Sequence, residues 1–168
     1  VVFQDVYLFS GTIFDNIAFS RKGASAEDVE AAARAAQAHD FVMAMPEGYR
    51  TKVGEGGATL SGGERQRISI ARAILKDAPI VLLDEATAAI DPTNERAIQT
   101  ALRALVADKT LIVVAHRLST VQAADRILVI DEGRIIERGS HETLIGTGGL
   151  YDKLWRHWTR AAEWRIGK

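Results

Sequence analysis

Ile80-Val81-Leu82-Leu83-Asp84-Glu85 decides the fold class of this chain. Four apolar residues between Pro79 and an acidic pair are too few for a helix and read as a buried strand. Thr110-Leu111-Ile112-Val113-Val114-Ala115 repeats the pattern, and between the two runs Ala97, Ile98, Ala101, Leu102 and Leu105 recur at helical spacing. Two wholly apolar strands joined through a helix predict a parallel sheet covered on both faces, and hence an α/β fold.

Chemistry gathers where those strands end. Asp84 and Glu85 follow the first strand, at the carboxyl edge where open α/β sheets place their ligands. Adjacent acids on a bending chain point in different directions, so one can hold Mg²⁺, directly or through water, while the other orients an attacking water. The alternative is that Asp84-Glu85-Ala86-Thr87 only caps the next helix. His116 stands just beyond the second strand, at the same expected edge, whereas His39, His141 and His157 read as structural.

Upstream, Ser61 in Leu60-Ser61-Gly62-Gly63-Glu64-Arg65-Gln66 has the spacing of a capping box with Glu64, ahead of a helix whose buried stripe is Ile68, Ala71 and Leu75. Gly62 and Gly63 leave backbone N–H groups bare at its positive end, where an anion such as phosphate can approach; a plain capped turn is the other reading. Ser25 starts a helix with Val29, Ala32, Ala33 and Ala36 on its buried face, ending near His39. A short helix over residues 40–44 stops before Pro46. Residues 1–3 read as the end of a buried strand, and residues 4–12 as a loop whose Tyr7, Leu8 and Phe9 want a partner surface. Residues 126–138 read as a hairpin turning at Asp131-Glu132-Gly133-Arg134, and residues 150–164 as a helical tail. In that tail Trp155, Trp158 and Trp164 alternate with basic residues; packing onto the chain's own domain is favoured over lying on a membrane.

Composition narrows the classes. With 168 residues, 47% hydrophobic and 26% charged, the chain has the balance of a folded domain rather than a disordered or fibrous one. A net charge of -1 gives no global pull toward nucleic acid or an anionic surface. Zero cysteines exclude disulfides, thiolate metal sites and a cysteine nucleophile. No apolar run approaches the about 18 residues needed to cross a bilayer, and the first residues do not read as a signal peptide.

Taken in order, the motifs resemble the nucleotide-binding cassette of ATP-binding cassette (ABC) transporters, from about residue 1 to residue 145. Leu60-Ser61-Gly62-Gly63-Glu64 resembles the family's signature motif, and residues 80–85 its Walker B strand with the catalytic glutamate. Ala88-Ala89-Ile90-Asp91 is similar to the D-loop, with alanine and isoleucine where serine and leucine are common. His116 resembles the switch histidine, and Gln4 the Q-loop glutamine. Thr51-Lys52-Val53-Gly54-Glu55-Gly56-Gly57 and the run from Asp5 to Ile17 resemble the exporter branch, which makes Glu55 a candidate contact to transmembrane domains.

The resemblance implies a P-loop NTPase-like α/β domain with a helical signature subdomain over about residues 10–76, a cassette portion over residues 1–149 and a helical tail over residues 150–168. It implies ATP and Mg²⁺ as cofactors. Glu85 would polarise the attacking water, Asp84 and Gln4 organise Mg²⁺, and His116 hold the γ-phosphate. Ser61, Gly62, Gly63 and Glu64 would meet nucleotide bound by a second cassette, paired head to tail as a homo- or heterodimer, with Asp91 linking the two sites. Other expected partners are transmembrane domains, which would supply the membrane contact at the cytoplasmic face of the cell membrane; nucleic acid is not among them.

A P-loop needs G-x-x-x-x-G-K-[ST], and the only Gly-Lys pair, Gly167-Lys168, has no following hydroxyl and has Ala162 where the first glycine belongs. The chain is therefore expected to be the carboxyl-terminal part of a cassette, inactive alone. A regulatory or interaction fragment, and a soluble ABC-type ATPase, are the alternatives.

Overall fold

The computed structural model describes residues 6–84, 92–115 and 118–166. The chain divides into two compact units, Val1–Val114 and Ala115–Lys168. In chain order the first runs β1 (Gly11–Thr12), α1 (Ile13–Ala18), α2 (Ala26–Ala35), α3 (His39–Met43), β2 (Lys52–Val53), α4 (Gly62–Lys76), β3 (Ile80–Asp84), α5 (Pro92–Val106) and β4 (Thr110–Val114).

Helix α4 is the centre of this unit: α1, α2 and α5 all pack on it. Its expected stripe of Ile68, Ala71 and Leu75 is buried, joined by Gly63, Gln66 and Ile70. Val29, Ala32, Ala33 and Ala36 are buried as the helical spacing predicted, and so are Ile98, Ala101, Leu102 and Leu105 of α5. Helix α2 ends earlier than its apolar pattern suggests. Gln37 turns left-handed (φ 56°), and its carbonyl accepts a 3.1 Å hydrogen bond from Arg67 Nη1 of α4. A tertiary contact thus sets that boundary.

The strands β3 and β4 are parallel, in register from Ile80 opposite Thr110 to Asp84 opposite Val114. Alternation along β3 turns Val81 and Leu83 into the helical core. The other face is not covered as expected: Ile80, Ile112 and Val114 are 58%, 51% and 48% exposed. Within this unit the helices α1, α2, α4 and α5 belong to one core with Val81 and Leu83. A two-residue antiparallel ladder, β1 with β2, was not legible in the sequence. Neither was α1, capped by Thr12 in a reciprocal box with Asp15.

The second unit holds α6 (Leu118–Gln122), β5 (Ile127–Asp131), β6 (Arg134–Gly139), α7 (His141–Leu144) and α8 (Leu150–Ile166). The hairpin turns at Glu132 and Gly133, both left-handed (φ 45° and 75°), the two-residue turn whose twist suits a right-handed ribbon. Ile127 and Val129 face a small core with Val121, Leu144 and Tyr151, against which Trp155 and Trp158 pack. The Glu137 carboxylate of β6 accepts the N–H groups of Leu150 (2.5 Å) and Tyr151 (3.1 Å), closing the start of α8. Asp152 is 1% exposed and pairs with Arg156 at 2.9 Å. Burial pushes its carboxyl up, but the Arg156 guanidinium and the N–H groups of Gly146 and Gly148 outweigh that and hold it below the usual range.

Candidate functional site

The N-terminus of α4 forms as its sequence demands. Ser61 enters in extended backbone, its hydroxyl accepts the Glu64 N–H (3.3 Å), and Glu64 Oε2 accepts both the Ser61 N–H and hydroxyl at 2.8 Å. The two glycines that follow differ in what they face. A Cβ on Gly62 would have nothing nearer than Arg65 Nη2 at 3.9 Å, so this exposed residue has open space in front of it. A Cβ on Gly63 would meet Asn94 of α5 at 2.7 Å. Gly63 is buried by helix packing, and Asn94 in turn accepts from Arg67 Nη2 at 2.9 Å. Of the pair, only Gly62 has open space on its Cβ side.

Asp84 ends β3 half-buried, level with Val114 of β4, two residues before His116. The register therefore brings the carboxyl ends of both strands to one edge. Gln4, Glu85, Asp91 and His116 themselves lie outside the described residues, as do the strand expected at residues 1–3 and the Gly167-Lys168 pair. Among the described residues no cluster of three or more His, Cys, Asp or Glu could hold a metal.

A second constellation lies in the loop that carries Tyr7 and Phe9. Both rings are exposed; Phe9 stands edge-on to Tyr7 and 4.6 Å from the ring of Phe19, which is 70% exposed. Tyr7 Oη donates to Glu55 Oε1 at 3.0 Å, and that contact pushes the phenol pKa up. Glu55, singled out from sequence, is thereby fixed beside the aromatic cluster. Gly57 sits against both Leu8 and the Arg65 side chain of α4, where a Cβ would come within 3 Å of each.

Two residues of this constellation escaped the sequence reading. Asn16 is buried (1% exposed); its amide N–H groups donate to the carbonyls of Phe9 (2.9 Å) and Thr12 (3.0 Å), and its Oδ1 accepts the Phe9 N–H at 2.9 Å. Arg72 of α4 donates to the Asn16 carbonyl at 2.5 Å, to the Tyr7 carbonyl at 2.9 Å and to Asn16 Oδ1, and lies over the Phe9 ring. Burial lowers its pKa from the ordinary value. The available signal was Arg72 itself, four residues after Ile68 and three before Leu75: an arginine on an apolar stripe needs buried acceptors.

His39 and His141 bear structural contacts. His39 Nδ1 and Tyr49 Oη are 3.0 Å apart, with burial pushing the phenol up to about 12, and His141 Nδ1 is 2.8 Å from Tyr151 Oη.

The family model described as ABC transporter matches residues 1–88. The chain belongs to the ABC transporter family. Human ATP-binding cassette sub-family B member 6 is 60% identical over 156 residues, 93% of this chain and 18% of that protein. The ATP-dependent lipid A-core flippase of Syntrophus aciditrophicus is 51% identical over all 168 residues, 28% of its own length. Among solved structures, a bacterial Atm1-family ABC exporter with ATP bound is similar at a TM-score of 0.79 and 49% identity, over 94% of this chain and 27% of that one. This ABC transporter chain thus spans less than a third of the length of these relatives, and they share its α/β P-loop NTPase-like class. No described helix is long and apolar enough to cross a membrane.

Proposed function

We propose that the chain is part of the ATP-binding and ATP-hydrolysing cassette of an exporter-type ABC transporter, and that its motifs act on nucleotide shared with a second cassette. The observation that carries this reading is the capped N-terminus of α4 with open space before Gly62, within a family match over residues 1–88. An ABC exporter, a lipid A-core flippase and a sub-family B member, 49–60% identical to this chain, support the exporter architecture.

Asp84 and Gln4 would hold Mg²⁺, which would supply charge neutralisation for the γ-phosphate of bound ATP. Glu85 takes the proton side of water activation, and His116 holds the γ-phosphate end of the site. Ser61 and the N–H groups at Gly62 and Gly63 meet the phosphate of nucleotide carried by the partner cassette, where a helix N-terminus favours an anion. For the Ser61 hydroxyl to donate there, it must give up its bond to Glu64. Asp91 links the two sites. The aromatic cluster of Tyr7, Phe9 and Phe19 with Glu55 takes the transmembrane domains, so that the cassette works at the cytoplasmic membrane face. The chain carries no P-loop motif and does not hydrolyse ATP alone.

The test uses the full-length protein that contains this sequence. Glu85→Gln is expected to lower magnesium-dependent ATP turnover at least a hundredfold, the scale of removing a general base, while bound ATP is retained. Turnover at the parent rate would remove Glu85 from this role.

A further inference from the structure

Arg72 ties α4 to two segments far upstream. Its long cationic side chain satisfies the Tyr7 carbonyl in a loop 65 positions away and two acceptors on the buried Asn16 of α1. Asn16 in turn grips that loop from both ends, at Phe9 and at Thr12. The loop's backbone is held, while the rings of Tyr7 and Phe9 stay exposed at 52% and 42%. The same helix carries Ser61 at its other end. A rod of hydrogen-bonded backbone transmits displacement along its axis with little loss, because its side chains are close-packed and resist deformation.

We propose that Arg72 and Asn16 are positioning residues that lock the aromatic loop to α4, so that a shift of the loop moves the Ser61 end of the helix and nucleotide contact at Ser61 moves the loop. This rests on the reading above, in which the loop meets the transmembrane domains and Ser61 meets nucleotide. The chemistry suits the role. Arg72 offers a planar fork of donors to three oxygens and a face to the Phe9 ring, which an ammonium cannot reproduce. Arg72→Lys keeps the charge and loses the geometry. Asn16→Asp loses the amide that donates to Phe9 and Thr12 but keeps an acceptor for Arg72. Such coupling needs a direct demonstration that events at one site are read at the other.

The experiment reads both ends at once. In the full-length protein with other reactive cysteines removed, Ser10→Cys places an environment-sensitive fluorophore on the exposed loop, in a Glu85→Gln background that retains ATP. This chain contributes no cysteine of its own. ATP is added, and its retention and the fluorescence shift are measured for Arg72, Arg72→Lys and Asn16→Asp proteins. The expected result is a clear ATP-induced shift with Arg72 and one at least fivefold smaller in each variant, with ATP retained within twofold. A full shift in both variants, no shift in the Arg72 protein despite retained ATP, or loss of retention and shift together in both variants would each overturn the coupling; the last would make the network a folding element only. Failure of the Glu85→Gln protein to retain ATP with Arg72 intact marks failure of the underlying functional reading instead.

Discussion

Adjacent glycines in Ser61-Gly62-Gly63 are expected to respond in opposite ways to the same added methyl group. In Gly63→Ala the new Cβ would lie 2.7 Å from Asn94 Cγ, 2.9 Å from its Cβ and 3.0 Å from its Oδ1. Two of those contacts are near the backbone of α5, so relief requires α4 and α5 to part. Overpacking of this kind costs about 1–3 kcal/mol. Moving Asn94 also weakens its bond to Arg67 (2.9 Å), about 1 kcal/mol more. The helical preference of alanine over glycine returns about 1 kcal/mol, leaving a net loss of about 1–3 kcal/mol. For domains of 150–250 residues each kcal/mol is about 2–4 °C, so melting should fall by roughly 2–12 °C. In Gly62→Ala the nearest atom is 3.9 Å away, at the end of a flexible arginine, and stability should hold or rise by up to about 1 kcal/mol. Under the proposed function that methyl group occupies the approach to the helix N-terminus, so ATP turnover should fall while the protein melts no lower. Thermal melting of the full-length proteins, followed by turnover on the same samples, checks both. A Gly63→Ala protein as stable as its parent, or a Gly62→Ala protein the less stable of the two, would refute the packing argument.

Ser61→Ala removes the hydroxyl from the capping box and should cost about 1 kcal/mol in denaturant unfolding; a change below a few tenths would show that the backbone bond to Glu64 suffices. Because Asp152 is held below the usual carboxylate range in the folded chain, its contribution is complete above that range, about pH 4, and is lost as pH falls through the lower folded value. Asp152→Asn should therefore flatten the acid limb of unfolding for the second unit, measured by tryptophan fluorescence against pH; an unchanged acid limb would remove Asp152 from that limb. With Trp155 and Trp158 packed on their own core, deleting residues 150–168 should leave binding to anionic liposomes unaffected, and a marked fall on a flotation assay would instead support a membrane-facing tail.

Local features of this fold are legible in the sequence, and long-range ones are not. The α4 cap, its stripe and the two parallel strands were legible because each depends on neighbours within a few positions: Ser61 with Glu64, Ile68 with Ala71 and Leu75, Ile80 with the next three residues. Helix α1 was missed although Thr12 and Asp15 have the spacing of a capping box, because six residues hold too little periodicity to stand out. The end of α2 was placed late because Arg67, thirty positions on, fixes Gln37 in the left-handed region. Asn16 and Arg72 lie 56 positions apart, and only the packing of α1 on α4 brings them together. The expectation of two covered sheet faces came from apolar content, which reports what a strand can bury rather than what stands beside it.

Glu137 makes the start of α8 answerable to a bulge in β6. Side chains on a strand alternate between faces, and Glu137 stands opposite Val129 on the side that meets the small core. The pairing slips by one residue between Val129 with Glu137 and Ile130 with Ile135, so β6 carries Ile136 as an extra residue on the way from the turn. Without it, alternation would send Glu137 to the solvent side, and the N–H groups of Leu150 and Tyr151 would lose their shared acceptor. Deleting Ile136 should therefore loosen the start of a helix that the bulge never touches in sequence.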